Sequence, residues 1–260
     1  MLRDEELDLV LTYPQPEAEK LGAYYESEDY ISHTDGNRSW FEKTYQLVKN
    51  LAIKRKISII NQTQKEKGLL LDIGAGTGDF LVKAKEHGWQ IIGVEPSTKA
   101  RRLALQKDVP LIEDTEILED NSVDVITMWH VLEHIPDVEK QIRELKRLLK
   151  PTGTVIIAVP NFNSYDADYY GIYWAAYDVP RHLWHFSRQS IHKLFGREKL
   201  QVRKERPLLF DAFYVAMLSE KYKSGSMNLF NAFLIGLKSN WSARKNREYS
   251  SVIYEIKNFR

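Results

Sequence analysis

Three glycines alternate in the run Leu69-Leu-Leu-Asp-Ile-Gly-Ala-Gly-Thr-Gly-Asp79, directly after a short apolar stretch and directly before a helical pattern. Without a Cβ, Gly74, Gly76 and Gly78 let the backbone turn at positive φ and let a ligand lie against the amides. The helix that follows points its N-terminal donors at the same place. Seventeen residues after Gly78, a second apolar stretch, Gln90–Val94, ends in Glu95, a carboxylate able to accept both hydroxyls of a ribose. Strand, glycine turn, helix, strand and acid describe a nucleoside-containing cofactor at the carboxyl edge of a parallel sheet.

A second set of reactive residues lies downstream. His130-Val-Leu-Glu-His134 is followed, after Ile135, by Pro136, and Asp178-Val-Pro-Arg-His-Leu-Trp-His185 carries His182, His185, Asp178 and Arg181. Neutral imidazole is a proton acceptor near pH 7, so His182 and His185 are the first candidates for a base, with Asp178 and His130 next. Their other reading is that they bond the backbone and fix a lid. Tyr173, Trp174 and Tyr177 suit a wall around a substrate, and Arg181 suits a carboxylate or phosphate. His130–His134 also fits an H-x-x-E-H zinc pattern. That chemistry needs both histidines on one helix face, which Pro136 and a strand ending at His130 oppose, so no bound metal is expected. A capped turn, a direct catalytic role for one histidine and a divalent ion are the three readings of that segment.

Alternating apolar and helical patterns must position these groups. Helices are expected at 78–87, closed by Gly88; from Ser97 as N-cap to Lys107; at 137–150; and at 188–196. Strands are expected at Val109–Ile112, Val123–Met128, Val155–Val159, 200–206 and Ser251–Lys257. Strands alternating with helices at this rhythm give a doubly wound, mostly parallel sheet. Upstream, residues 1–37 read as an extended aromatic arm. Residues 39–61 carry Trp40, Tyr45, Leu47, Val48, Leu51 and Ile57 at near-helical spacing, which predicts one or two cap helices over the cofactor mouth. The expected division is 1–61 arm and cap, 62–206 cofactor-binding core, and 207–260 helical insertion plus final strand. Within that insertion, Pro207–Lys221 and Met227–Leu237 read as helices. Leu229, Phe230, Phe233, Leu234 and Ile235 are apolar on nearly every side, so the run is read as packed on the domain, a homodimer interface, or a substrate lid or membrane-surface contact. It is too short to span a bilayer.

Together the D-x-G-x-G-x-G run, Glu95, the Asp124–His134 segment and Leu148–Ile157 resemble, in order, the motifs of class I S-adenosylmethionine-dependent methyltransferases, bacterial types 11 and 23 among them. Dinucleotide enzymes favour G-x-G-x-x-G, and Asp72 would repel a pyrophosphate but suits an ammonium and a sulfonium. The resemblance covers roughly residues 40–206 plus a final strand and implies a Rossmann-like, seven-stranded sheet in the order 3-2-1-4-5-7-6. It implies that Asp72, Gly74, Ala75, Gly76 and Gly78 line the methionine moiety of S-adenosylmethionine, and Glu95, Pro96 and Ser97 the ribose. Asp114 and Thr115 would flank the adenine, with Trp129 and His130 on its other side near the methyl group. The Trp174-to-His182 block resembles uncharacterised bacterial methyltransferases linked to cell-surface glycan or lipid synthesis. Some quinone-pathway members resemble the His130–His134 segment with acids and a histidine that can hold a divalent ion. Family members often carry a cysteine-rich zinc module ahead of such an arm, and this chain starts just after where it would lie.

Composition excludes several classes. There is no cysteine, hence no thiolate nucleophile or thiolate metal site. Lys and Arg number 37 against 36 Asp and Glu, so no global field draws in nucleic acid. The acidic opening residues do not read as a secretory signal, and cytoplasmic residence is expected. The expected acceptor is an oxygen of a small molecule or a glycan or lipid precursor, since the signature of family members that act on amide or adenine nitrogen, an acid or Asn followed by two prolines and an aromatic, is absent after Asp124–Met128. A small-molecule N-methyltransferase and a non-catalytic S-adenosylmethionine-binding regulator are the alternatives.

Overall fold

A computed structural model describes residues 1–17, 24, 40–64 and 66–259, without the side chains of 40–48. The aromatic arm around Tyr25–Tyr30 and the side chains of Trp40, Tyr45, Leu47 and Val48 thus lie outside the described residues. In chain order the elements are β1 (Leu2–Asp4), β2 (Leu9–Leu11), α1 (Trp40–Asn61), β3 (Leu69–Ile73), α2 (Asp79–Glu86), β4 (Gln90–Val94), α3 (Thr98–Leu105), β5 (Leu111–Ile112) and β6 (Val123–Trp129). A 3-10 turn at Leu132–His134 follows, then α4 (Val138–Leu148), β7 (Leu149–Pro160), α5 (Tyr165–Tyr170), β8 (Trp184–Phe186), α6 (Arg188–Arg197), β9 (Leu200–Pro207), α7 (Asp211–Ser224), α8 (Leu229–Asn246) and β10 (Ser251–Asn258).

Seven strands form one sheet in the order β5-β4-β3-β6-β7-β10-β9. β3, β4 and β5 pair in parallel, while β10 runs antiparallel to both β7 and β9. This is the expected doubly wound, Rossmann-like order, with the last strand of the chain inserted antiparallel. The buried runs explain the central strands: Leu70, Leu71 and Ile73 in β3, and Val155 through Val159 in β7, leave almost nothing to solvent, as strands covered on both faces require.

The chain forms two compact units: residues 16–127 with 148–154, and residues 1–15, 128–147 and 155–260. In the first, Ser97 caps α3 by accepting from Ala100 N, as its side chain suggests, and Gly88 follows α2 at φ 86°. In the second, β1, β2 and β8 build a small antiparallel sheet that the sequence reading missed. Ser187 and Ser190 close a reciprocal capping box at the start of α6.

α7 and α8 pack one face on the 165–177 segment. Val215, Ala216, Ala232 and Ile235 join Ala167, Tyr170 and Trp174 in one buried cluster. The all-round apolar character of 229–235 therefore divides: Ala232 and Ile235 are buried, whereas Phe230 is 75 % exposed. Among the described residues no helix is long and apolar enough to cross a membrane.

Candidate functional site

The glycine loop is built as its sequence demands. Gly74, Gly76 and Gly78 adopt φ of 72°, 55° and 76°, conformations that only glycine holds without strain. Gly74 N and Ala75 N both donate to Val94 O, at 2.8 and 3.0 Å, pinning the loop to the end of β4. Glu95 bridges two amides: Oε2 accepts from Gly76 N and Oε1 from Ser97 N, both at 2.9 Å. Each oxygen keeps a second lone pair for a hydroxyl. A Cβ built on Gly76 meets none of the described residues within 4 Å, whereas one on Gly78 would press on Ala104 and Val109. The loop is thus open at Gly76 and packed at Gly78.

Around it, Arg101 donates to the carbonyls of Glu95 and Pro96 and so holds the turn before Ser97. Asp79, at the start of α2, pairs with Lys49 at 2.6 Å and Lys107 at 2.8 Å. Asp114 is exposed and accepts from Glu116 N, while Thr115 beside it is half-buried.

Asp72 lies buried at the end of β3 and accepts a 2.6 Å hydrogen bond from Thr127 Oγ1. Burial drives its pKa up to about 7, against the opposing Thr127 bond and the Lys56 charge. Folded Asp72 therefore holds its proton more tightly than the unfolded chain does. Its stabilisation is complete below about pH 4, is lost as pH rises to about 7, and is constant above that. A shift of about three units corresponds to at most about 4 kcal/mol. Asp72→Asn, which carries no charge, is expected to match the parent at pH 4 and to exceed it by about 2–4 kcal/mol at pH 8. Denaturant unfolding at both pH values measures this, and parallel stability curves for the two proteins would refute it.

The other unit gathers the histidines. His130, at φ 57° just past β6, donates its amide to Ala158 O at 2.9 Å. Its Nε2 is 2.9 Å from Asp211 Oδ2 and its Nδ1 is 3.3 Å from Glu133 Oε1. Burial works against the charged ring, but Asp211 and then Glu133 outweigh it and bring the pKa up to about 10. The two carboxylates favour the charged form of the ring, which weighs against His130 as the base.

His182 Nδ1 is 2.8 Å from Ala176 O and His134 Nδ1 is 3.1 Å from Arg181 O. Carbonyls only accept, so each Nδ1 carries the hydrogen. The two rings meet edge to face at 4.5 Å between centroids. Thr12 Oγ1 donates to His182 O at 2.7 Å, so its contact with His185 Nε2 at 3.1 Å makes that nitrogen the donor. Burial lowers the pKa of both His182 and His185 to about 4, so both rings are neutral at pH 7. Asp178 accepts from Arg181 through Oδ1, and its Oδ2 lies 3.7 Å from His182 Nε2. Arg181, expected to meet a substrate anion, is thus engaged by Asp178.

The expected aromatic wall is divided. Tyr173 is exposed, and Tyr177 packs edge-on against both His185 and Trp174. Trp174 itself is only 2 % exposed and donates its indole N–H to the buried Asp166, which also accepts from Ser239 and Ser250. It belongs to the core, because its indole satisfies a buried carboxylate. Tyr177 also lines a groove of about 520 Å³ with Phe162, Asn163, Tyr165, Asp168 and Ser242. Trp129, the last residue of β6, is half-buried. Sequence reasoning missed Thr12, Asp211 and Asp166, each a polar residue with at least one partner far away in the chain.

Residues 45–205 match the family described as "Methyltransferase domain". The chain belongs to the class I S-adenosylmethionine-dependent methyltransferases. This methyltransferase is 34% identical over 107 residues to an uncharacterized methyltransferase of Alkaliphilus oremlandii, covering 38% of the chain and 49% of the relative. It is 30% identical over 105 residues to a ubiquinone biosynthesis O-methyltransferase of Chromobacterium violaceum, covering 36% and 45%. The chain therefore spans about half the length of the curated relatives it matches. Its fold is shared with the geranyl diphosphate C-methyltransferase of Streptomyces coelicolor, with TM-score 0.61, 15% identity, and 95% and 100% coverage.

Proposed function

We propose that this methyltransferase transfers the methyl group of S-adenosylmethionine to an oxygen of a small molecule or of a glycan or lipid precursor. The loop at Gly74–Gly78 holds the methionine part of the cofactor, and Glu95, Pro96 and Ser97 hold the ribose. Asp72 meets the ammonium, whose charge draws off the proton that burial otherwise keeps there. Asp114 and Thr115 flank the adenine.

Methyl transfer is an in-line displacement, so the protein chiefly aligns the nucleophile and excludes water. An alcohol or phenol must also lose a proton. His182 and His185, both neutral, are the acceptors for it, and Tyr173 and Tyr177 supply the acceptor-side wall. The neutral imidazoles and the O-methyltransferase relative favour oxygen over nitrogen.

The observation that carries this reading is Glu95, whose carboxylate joins the glycine loop to the turn after β4 while keeping lone pairs for two hydroxyls. Glu95→Ala is expected to weaken S-adenosylhomocysteine binding by about 2–3 kcal/mol, the loss of two charge-assisted hydrogen bonds. Titration calorimetry decides it, and unchanged affinity would overturn the assignment. Candidate acceptors are then screened with labelled S-adenosylmethionine, and a chain that binds the cofactor but methylates none of them would be read as a regulator.

A further inference from the structure

We propose that Glu133, His134 and His182 form a binding site for a divalent transition ion, with zinc the best match. A carboxylate oxygen of Glu133 and one ring nitrogen from each histidine lie within 4.8 Å of one another. Two imidazoles with one carboxylate suit zinc and its neighbours, whereas magnesium and calcium prefer oxygen alone.

The state of Glu133 is the first argument. It is 1 % exposed, and among the described residues neither carboxylate oxygen has a hydrogen-bond donor. Buried ionised groups are normally paired, hydrogen-bonded or bound to a metal. His130 Nδ1 pairs with Oε1 at 3.3 Å while its Nε2 pairs with Asp211, and among the described residues Oε2 has no hydrogen-bond donor to share its charge.

The second argument is orientation. Both histidines give Nδ1–H to a backbone carbonyl, the outer contact that fixes tautomer and ring plane in metal-bound histidine. In His182 this leaves Nε2 as the ligand atom, and Asp178 Oδ2, 3.7 Å from it, stands ready as a fourth ligand.

The third argument is rigidity. Leu183 N donates to Glu133 O at 2.8 Å, which ties the 132–134 turn to the segment carrying His182. Thr12, at the end of the small sheet, fixes the His182 carbonyl. Ligand atoms around a tetrahedral ion lie about 3.3 Å apart, so closing the site takes side-chain movements of about an ångström. The sequence expectation of no metal considered His130 and His134 as a helical pair. The fold instead joins His134 to His182, from a segment 48 residues away.

The proposal requires no assignment of methyl donor or acceptor. With His182 on the ion, His185 remains as the neutral imidazole able to take a proton. The test uses the full chain, stripped by chelator and titrated with cobalt(II), whose visible absorption reports imidazole and carboxylate ligation. One equivalent bound, displaced by zinc, is expected for the parent and for His192→Ala, a surface control. Loss of an outer partner alone costs about 10–100-fold in metal affinity, so Glu133→Gln and His182→Ala are each expected to lose at least about 100-fold. Circular dichroism confirms that each variant is folded. A parent that binds no stoichiometric cobalt or zinc, or folded variants that bind as tightly as the parent, would overturn the site. S-adenosylhomocysteine calorimetry on the same samples keeps this outcome separate from that of the cofactor reading.

Discussion

A valine in place of Gly76 is expected to abolish S-adenosylhomocysteine binding, a loss of more than about 100-fold, while the protein stays folded. Among the described residues no atom lies within 4 Å of a Cβ built there, so the core they form is untouched. The cost to the free protein is the strain of holding φ at 55° with a β-branched residue, about 1–3 kcal/mol. The proposed cofactor position lies against this loop, so a valine side chain there would meet the ligand. Gly225→Val is the matched control, since Gly225 also sits at positive φ with open space around its Cβ but belongs to the end of α7. Both variants should melt at similarly lowered temperatures, and only Gly76→Val should lose the ligand. Calorimetry giving Gly76→Val an affinity within tenfold of the parent would mean that the loop is not the cradle.

His185→Ala is expected to lower kcat by about 10²–10⁴ with cofactor affinity nearly unchanged, the usual effect of losing a positioned proton acceptor. The ring also braces Thr12, so the variant carries a structural change beside the chemical one. Thr12→Val separates them: it removes the brace and leaves the imidazole. A fall in kcat confined to His185→Ala marks proton transfer. A raised KM with unchanged kcat in both variants would assign His185 to bracing the segment that ends in β8.

The unit that carries the glycine loop was largely legible before folding. An apolar run ending in alternating glycines leaves few alternatives, and the observed φ values of Gly74, Gly76 and Gly78 are what that spacing requires. Ser97 announced its cap, and Gly88 its helix end. The histidine half was legible only in pieces. Both segments stood out by residue type, but the pairing of His134 with His182 depends on the Leu183-to-Glu133 backbone bond, which no local pattern encodes. Trp174 read as a wall residue because aromatic character is the same on a surface and in a core. Its burial follows from Asp166, whose donors come from three separate segments. Three-residue strands such as β1, β2 and β8 are too short to show a period of two. α8 runs to Asn246, beyond the expected Leu237, because its buried stripe continues through Ser239 and Ala243, residues too small to register as apolar.

The small sheet also orders events in time. Thr12 and His185 are 173 residues apart, and β2 has no inner neighbour until β8 exists. At about 5–20 residues per second of synthesis, the β1–β2 hairpin waits about 10–35 s for its partner. The segment bearing His182 and His185 is thus completed by a piece of chain made long before it and seated only afterwards. Two three-residue strands hold no stable structure alone, so the nascent hairpin stays open to chaperones and proteases throughout that interval.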